Sequence, residues 1–329
     1  MQRSSELTYT PAWWVPGRHA QTLWGRLFRR TPTVDTRLER WATPDDDEIE
    51  VHRLDASHRE APRLILLHGL EGTIRSNYIQ GTLALARQHG WAADVLIFRG
   101  CGTRMNRQRR MYHSGETSDL RLVVDRVVME NPRQPIVLAG FSLGGNVLLK
   151  WLGERGHSLP SQIRGAAVVS VPFDLEAGSR HIEHGFSRIY MHHFLRSLVV
   201  KAHAKLLSYP GLFDQSRLQT ARTLYDFDDI VTAPVHGFAS AHDYYSRSSS
   251  LQFLSQVRTP TLLLSAFDDP FVPREVSNTV LLMSRESEFF LAEFYQRGGH
   301  VGFVSGSLLL HPHYFAEERI VEFLNSQLP

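Results

Sequence analysis

The chain has 329 residues, 42% of them hydrophobic and 21% charged, enough apolar material for one large packed domain and too much for a disordered one. Its 36 Lys and Arg stand against 34 Asp and Glu, and no basic stripe is interleaved with aromatics, so nucleic-acid binding is not expected. The one cysteine, Cys101, rules out an intrachain disulfide framework and a cysteine-based zinc site, and fits a cytoplasmic compartment.

Residues 1–45 read as an N-terminal arm. In "HAQTLWGRLFRR" (19–30), Leu23, Trp24, Leu27 and Phe28 share one side, with Arg18, Arg26, Arg29 and Arg30 around them. Docking of that side onto the domain is the expectation, and peripheral membrane contact through the arm is the alternative. The start lacks the apolar core of a signal peptide, and no run of about 18 apolar residues predicts a membrane span.

Residues 46–329 read as one α/β domain. Residues 48–54 alternate apolar and polar, as an outer strand should. Apolar runs then follow at 63–69, 92–98, 135–140, 165–171, 261–267 and 287–294, apolar on both faces, as strands covered on both sides are. Helical patterns lie at 76–89, 118–130 and 144–155, and a last one at 314–328; "SGETSDL" places Ser or Thr to cap the second. This alternation predicts a doubly wound, mostly parallel sheet. Residues 172–255 are too many for a bare loop and predict a helical cap insertion, with helices at 185–207 and 215–226.

"LAGFSLGGNVLLKWL" (138–152) sets Ser142 between glycines where a strand run meets a helical one. That is the setting of a nucleophile elbow, a tight turn that lifts a serine off a strand end. A serine hydroxyl needs a base, the base an orienting acid, and the oxyanion backbone donors. In a parallel sheet these come from loops at the carboxyl ends of the strands. "LILLHGLEG" (64–72) ends such a strand and offers the N–H of Leu70, with that of Leu143 as second donor. "LLLSAFDDPFVP" (262–273) ends another and offers Asp269, with Asp268 as runner-up and Asp174 a distant third. "GGHVGF" (298–303) offers His300 on a glycine-flanked loop expected to be mobile. Ser, Asp, His is the order such hydrolases follow along the chain.

Other residues carry weaker suggestions. Arg99 and its flanking glycines are expected to shape the site rim, and Cys101 to be a small buried hydrophobe. His181, His184, His192, His193 and His203 crowd the cap without a metal-binding motif, so no metal is expected. Phe186, Tyr190 and Phe194 fall on one helical face and are candidates for a substrate-pocket wall.

Taken together, "HAQT", "HGLEG", "FRGCG", "YHSGET", "GFSLGGN", "GFSRIY", "FDDIVTAPVHGF", "DDPFVP" and "GGHVGF" make the chain resemble the YheT-like α/β-hydrolases. These are related to the animal and plant α/β-hydrolase-domain lipases and esterases. The run from Asp228 through Asp269 is the most specific part, with Gly237, Asp243, Tyr244, Tyr245, Pro260 and Asp268 in register with the family signature. The resemblance implies an α/β-hydrolase fold, a Ser142–Asp269–His300 triad and ester hydrolysis. The expected function is a cofactor-free serine hydrolase acting on small to medium acyl or lipid-like carboxylic esters through an acyl-enzyme, with a small-molecule ester as its partner. Thioesterase or acyltransferase chemistry, or a membrane-surface or partner-binding scaffold, are the alternatives.

Overall fold

Strand runs with no polar face must be covered on both sides, and two helical layers do this here. The computed structural model describes residues 7–31, 33–58, 60–309 and 311–329; residues 1–6 and Pro32 of the expected arm lie outside the described residues. The strands are β1 (Arg37–Thr43), β2 (Asp47–Leu54), β3 (Arg63–Leu67), β4 (Ala92–Ile97), β5 (Ile136–Phe141), β6 (Ile163–Val169), β7 (Thr261–Ala266) and β8 (Phe290–Tyr295). They form one sheet in the order β1-β2-β4-β3-β5-β6-β7-β8. β2 runs antiparallel to β1 and β4, and every other pairing is parallel.

β1 was not expected from the sequence. "RLERWAT" alternates charge and bulk and reads as part of an arm, yet it pairs along its full length with β2 and forms the sheet edge. Only Trp41 and Thr43 of it are buried, as suits an edge strand facing solvent. β2 is therefore an inner strand.

Before the sheet stands α1 (Gly17–Phe28). The covering helices are α2 (Asn77–Gln88) and α12 (Phe315–Ser326) on one face and α3 (Ser118–Glu130), α4 (Leu143–Arg155) and α11 (Arg274–Arg285) on the other. β3, β4, β5 and β7 are almost wholly buried between them. The start of α3 departs from expectation: Thr117 makes no capping bond, its hydroxyl going to Glu154, while the Glu116 carboxylate accepts the Ser118 N–H at 2.7 Å.

The cap joins β6 to β7 and holds α5 (Leu175–His181), α6 (Ser187–Ser208), α7 (Gln215–Leu218), α8 (Leu224–Phe227), α9 (Ala233–His236) and α10 (Ala241–Ser248). α6 is the expected long helix. The second expected helix, 215–226, is broken, because Thr223 and Asp226 form a capping box that starts α8 afresh. Gly237 ends α9 in the left-handed region, at φ +76°, a conformation glycine adopts without strain. Asp228 accepts the Tyr245 hydroxyl at 2.7 Å and ties the π-helical turn 228–232 to α10.

The arm docks. Ala12 and Val15 are buried against Val304, and the Trp14 and Trp24 rings meet edge to face at 4.8 Å. Leu27 and Phe28, by contrast, are 62% and 64% exposed, so the expected apolar side is only half covered. Among the described residues no helix is long and apolar enough to cross a membrane.

Candidate active site

Ser142 sits between the last residue of β5 and the first of α4 with φ +52°, a region a non-glycine residue occupies only when its surroundings hold it there. Its N–H donates to the Val169 carbonyl at 2.8 Å and fixes the turn to β6. The flanking glycines answer to backbone crowding. A Cβ on Gly140 would lie 2.6 Å from the Gly144 carbonyl oxygen, and one on Gly144 would lie 2.5 Å from the His68 carbonyl oxygen. No side chain can yield there, because both obstacles are main chain.

His300, beyond β8, places Nε2 2.9 Å from the Ser142 Oγ. Its Nδ1 lies 2.9 and 3.1 Å from the two oxygens of Asp269, at the end of β7. A carboxylate can only accept, so Nδ1 carries the proton and Nε2 is left to accept the serine O–H. Asp269 is buried and also accepts the Phe271 N–H at 2.8 Å. The neighbouring Asp268 acts on the backbone instead. One of its oxygens accepts the N–H of Gly298 at 2.9 Å and of Gly299 at 3.0 Å, bracing the turn that carries His300. Burial pushes the Asp268 carboxyl above its ordinary range. Asp174 is the N-cap of α5, accepting from the Ala177 N–H.

The histidine loop is held rather than loose. Thr22 Oγ1 accepts the His300 N–H at 2.9 Å, and Ser170 Oγ accepts the Val301 N–H at 3.0 Å. Gln21 bonds both polar groups of the Val304 backbone, at 2.7 and 3.1 Å. The glycines are there for close approach: a Cβ on Gly299 or Gly302 would meet the Arg18 or Gln21 carbonyl oxygen at 2.5 or 2.4 Å. "HAQT" thus acts as the clamp of this loop, a role its sequence did not disclose.

On the other side of Ser142 runs the loop after β3. His68 is fully buried and neutral, with burial pulling its pKa down to about 4. It donates from Nδ1 to the Gly69 carbonyl at 2.8 Å and accepts the Phe98 N–H at 3.1 Å. The N–H groups flanking Leu70 are taken, that of Gly69 by the Tyr78 hydroxyl and that of Glu71 by the Tyr112 hydroxyl. Leu143 opens α4, so its N–H has no carbonyl within the helix to meet. Leu70 and Leu143 border the same cavity as Ser142.

That cavity, of about 640 Å³, lies between the sheet and the cap. Tyr190 and Phe194 line it with Leu198, Phe227 and Tyr244. Phe186 does not: it precedes the first turn of α6, and its ring packs on His19 at 4.5 Å, nearly half exposed. Arg99 is likewise no part of the rim. It is buried in ion pairs with Asp45, Asp47 and Asp119 that anchor the loop after β4. Among the described residues no three His, Cys, Asp or Glu side chains are grouped to hold a metal ion, the cap histidines included.

A strained serine off β5, an imidazole after β8 and a carboxylate after β7, all beyond the carboxyl ends of parallel strands, are the arrangement of a hydrolase fold. The model of the alpha/beta hydrolase fold family matches residues 62–281. YheT of Escherichia coli (strain K12), provisionally named an esterase, is 38% identical over 99% of this chain and 95% of its own length. Phospholipase ABHD3 of Mus musculus is 30% identical over 91% of this chain and 74% of its own. The monoacylglycerol lipase of Saccharomyces cerevisiae is 30% identical over 82% of this chain and 60% of its own. The Pyrococcus furiosus esterase Pf2001 shares the fold, with a TM-score of 0.59 at 16% identity over 91% of this chain and 97% of that one. The chain belongs to the α/β-hydrolase family, in its YheT-like branch. It is a hydrolase of the esterase and lipase kind.

Proposed function

We propose that the protein is a serine carboxylesterase working through an acyl-enzyme. The observation that carries this reading is the hydrogen-bonded chain from Ser142 Oγ through His300 to Asp269 at the wall of the cavity. Ser142 attacks the ester carbonyl carbon while its proton passes to His300 Nε2. Asp269 keeps the imidazole in the accepting tautomer and stabilises the imidazolium. The N–H groups of Leu70 and Leu143 receive the oxyanion. Collapse of the tetrahedral intermediate breaks the ester C–O bond, and His300 returns the proton to the departing alkoxide. Water, deprotonated by the same imidazole, then attacks the acyl-enzyme and frees the acid and Ser142.

The apolar cap wall, with Leu198, Phe227 and Tyr244, suits a small to medium acyl chain or a lipid-like one. A thioester substrate or an alcohol acceptor would use the same acyl-enzyme. The test is labelling with a fluorophosphonate probe and peptide mapping, on wild type and Ser142→Ala. Label confined to Ser142, and ester turnover lowered about 10⁴-fold or more in a folded Ser142→Ala, are expected. A folded wild type that takes no label would overturn the reading.

A further inference from the structure

The loop beside Ser142 makes a set of contacts that these steps leave unused. Glu71 follows Leu70 directly and has φ +56°. A non-glycine residue persists there only if its neighbours fix it. Its carboxylate accepts the Tyr112 hydroxyl at 2.8 Å, the Lys201 ammonium at 2.6 Å and the Ser197 hydroxyl. Its N–H donates back to the same Tyr112 oxygen at 3.1 Å. The Glu71 side chain is 9% exposed and that of Lys201 20%. Burial acts to raise the Glu71 carboxyl, but the Lys201 charge and the hydrogen bonds outweigh it and hold the group below its ordinary value. Lys201 Nζ also lies 3.2 Å from the Cys101 thiol, which burial pushes up to about 11 and so keeps neutral.

Ser197 and Lys201 stand one turn apart on α6, in the cap, whereas Glu71 and Tyr112 belong to loops of the sheet domain. The ion pair is therefore a fastening between the cap and the peptide next to the Leu70 N–H. Both flanking amides of Leu70 are bound through tyrosine hydroxyls, and one of those, Tyr112, is itself held by Glu71. Take away the ammonium and a mostly buried carboxylate loses its counter-charge, so the loop relaxes.

We propose that Lys201 and Glu71 are positioning residues: through them cap helix α6 sets the loop that aims the Leu70 N–H at the oxyanion. This rests on the serine-esterase reading above. The cap then serves the rate of the chemical step as well as the fit of the substrate. Loss of a whole oxyanion donor lowers kcat by about 10²–10³ in enzymes of this kind, so a displaced donor should cost about 10- to 100-fold.

The test compares wild type with Lys201→Met, Lys201→Arg and Ser197→Ala. The readouts are kcat and KM for a p-nitrophenyl ester, the melting curve, and affinity for a trifluoromethyl ketone. Ser142 Oγ adds to that ketone, the hydroxyl proton passes to His300, and the carbonyl oxygen becomes the oxyanion. The expected result for Lys201→Met is a kcat lower by about 10- to 100-fold with KM nearly unchanged. Ketone affinity should fall by the same factor as kcat/KM, and Lys201→Arg should restore most of both. Ser197→Ala should shift both readouts in the same direction by a few-fold, and decides the matter if Lys201→Met does not fold. A folded Lys201→Met with wild-type kcat, or a fall in kcat with ketone affinity untouched, would overturn the proposal. If that happens while Ser142 still labels, only the positioning role falls; an inactive, unlabelled wild type removes the esterase reading and this proposal together.

Discussion

The sheet domain and the cap solve opposite problems. Through the sheet domain one continuous core runs from Val34 to Leu324, and main chain meets main chain so closely at the elbow that glycine is required on both sides of Ser142. The cap has no such core. Its apolar side chains fall into separate small clusters, around Phe213 and Val231, around Tyr244, and around Tyr190, with a cavity left beside them. A dense region holds reacting atoms to within tenths of an ångström, whereas a region of small clusters encloses space whose shape side chains can alter. On the proposed function, this contrast predicts precision of chemistry in the sheet loops and choice of substrate in the cap.

The sharpest way to break this contrast lies within the sheet loops, at two adjacent carboxylates. Asp269→Asn should lower kcat by about 10⁴, because the amide favours the wrong histidine tautomer. Asp268→Asn, at a carboxylate that accepts the Gly298 and Gly299 amides and does not bond the imidazole, should cost far less, with the loss of a brace rather than of a tautomer. Steady-state kinetics on both variants measure the gap, and equal losses would dissolve the distinction between them.

Truncation compares the two regions directly. Leu138→Ala, in the fully buried β5, should destabilise by about 2–5 kcal/mol in chemical denaturation. Leu198→Ala, on the cavity wall, should cost less and instead move the preferred acyl length upward in a p-nitrophenyl ester series.

The smallest effect is a pH dependence. Burial raises the Asp228 carboxyl from its ordinary 3.8 to about 6, against the pull of its Thr232 and Tyr245 bonds. Between those values the folded chain keeps a proton that the unfolded chain has released, so this group's contribution to stability falls as pH rises through the window. Above it the contribution is constant. The melting temperature of wild type relative to Asp228→Asn should therefore fall from about pH 4 to 6 and then level off; a flat difference would show that Asp228 is not held neutral.

Much of this was legible because local pattern and position coincide. The apolar runs ending at Leu67, Phe141 and Ala266 announce strands, and the residues that follow them are necessarily at one end of a parallel sheet. Ser142, Asp269 and His300 could be picked out for that reason. β1 was hidden because an edge strand needs little apolar surface, and "RLERWAT" supplies little. Phe186 keeps the helical spacing and its ring meets Tyr190 at 5.9 Å, but it packs on His19 of the arm instead of lining the cavity, a contact that spacing along one helix does not announce. The rim role expected of Arg99 fails, and Lys201 carries no local signal, because the partners of both are fixed by tertiary approach: Arg99 is buried against Asp45, Asp47 and Asp119, and Lys201 meets Glu71 across 130 residues of sequence. The glycines of "GGHVGF" suggest mobility in the sequence, while in the structure Gly299 and Gly302 let the arm come close and Gly298 makes room for Phe303.

That clamp has a consequence for the way the molecule is made. The bonds from Thr22 to His300 and from Gln21 to Val304 close loops of 278 and 283 residues. Closing loops of that length carries a large entropic penalty, which is met only once most of the chain between is ordered. The β3–β5 and β5–β6 ladders that position the serine join much nearer neighbours. The expected order of assembly is therefore the serine turn first and the seat of the imidazole last, when the first helix meets the loop after β8.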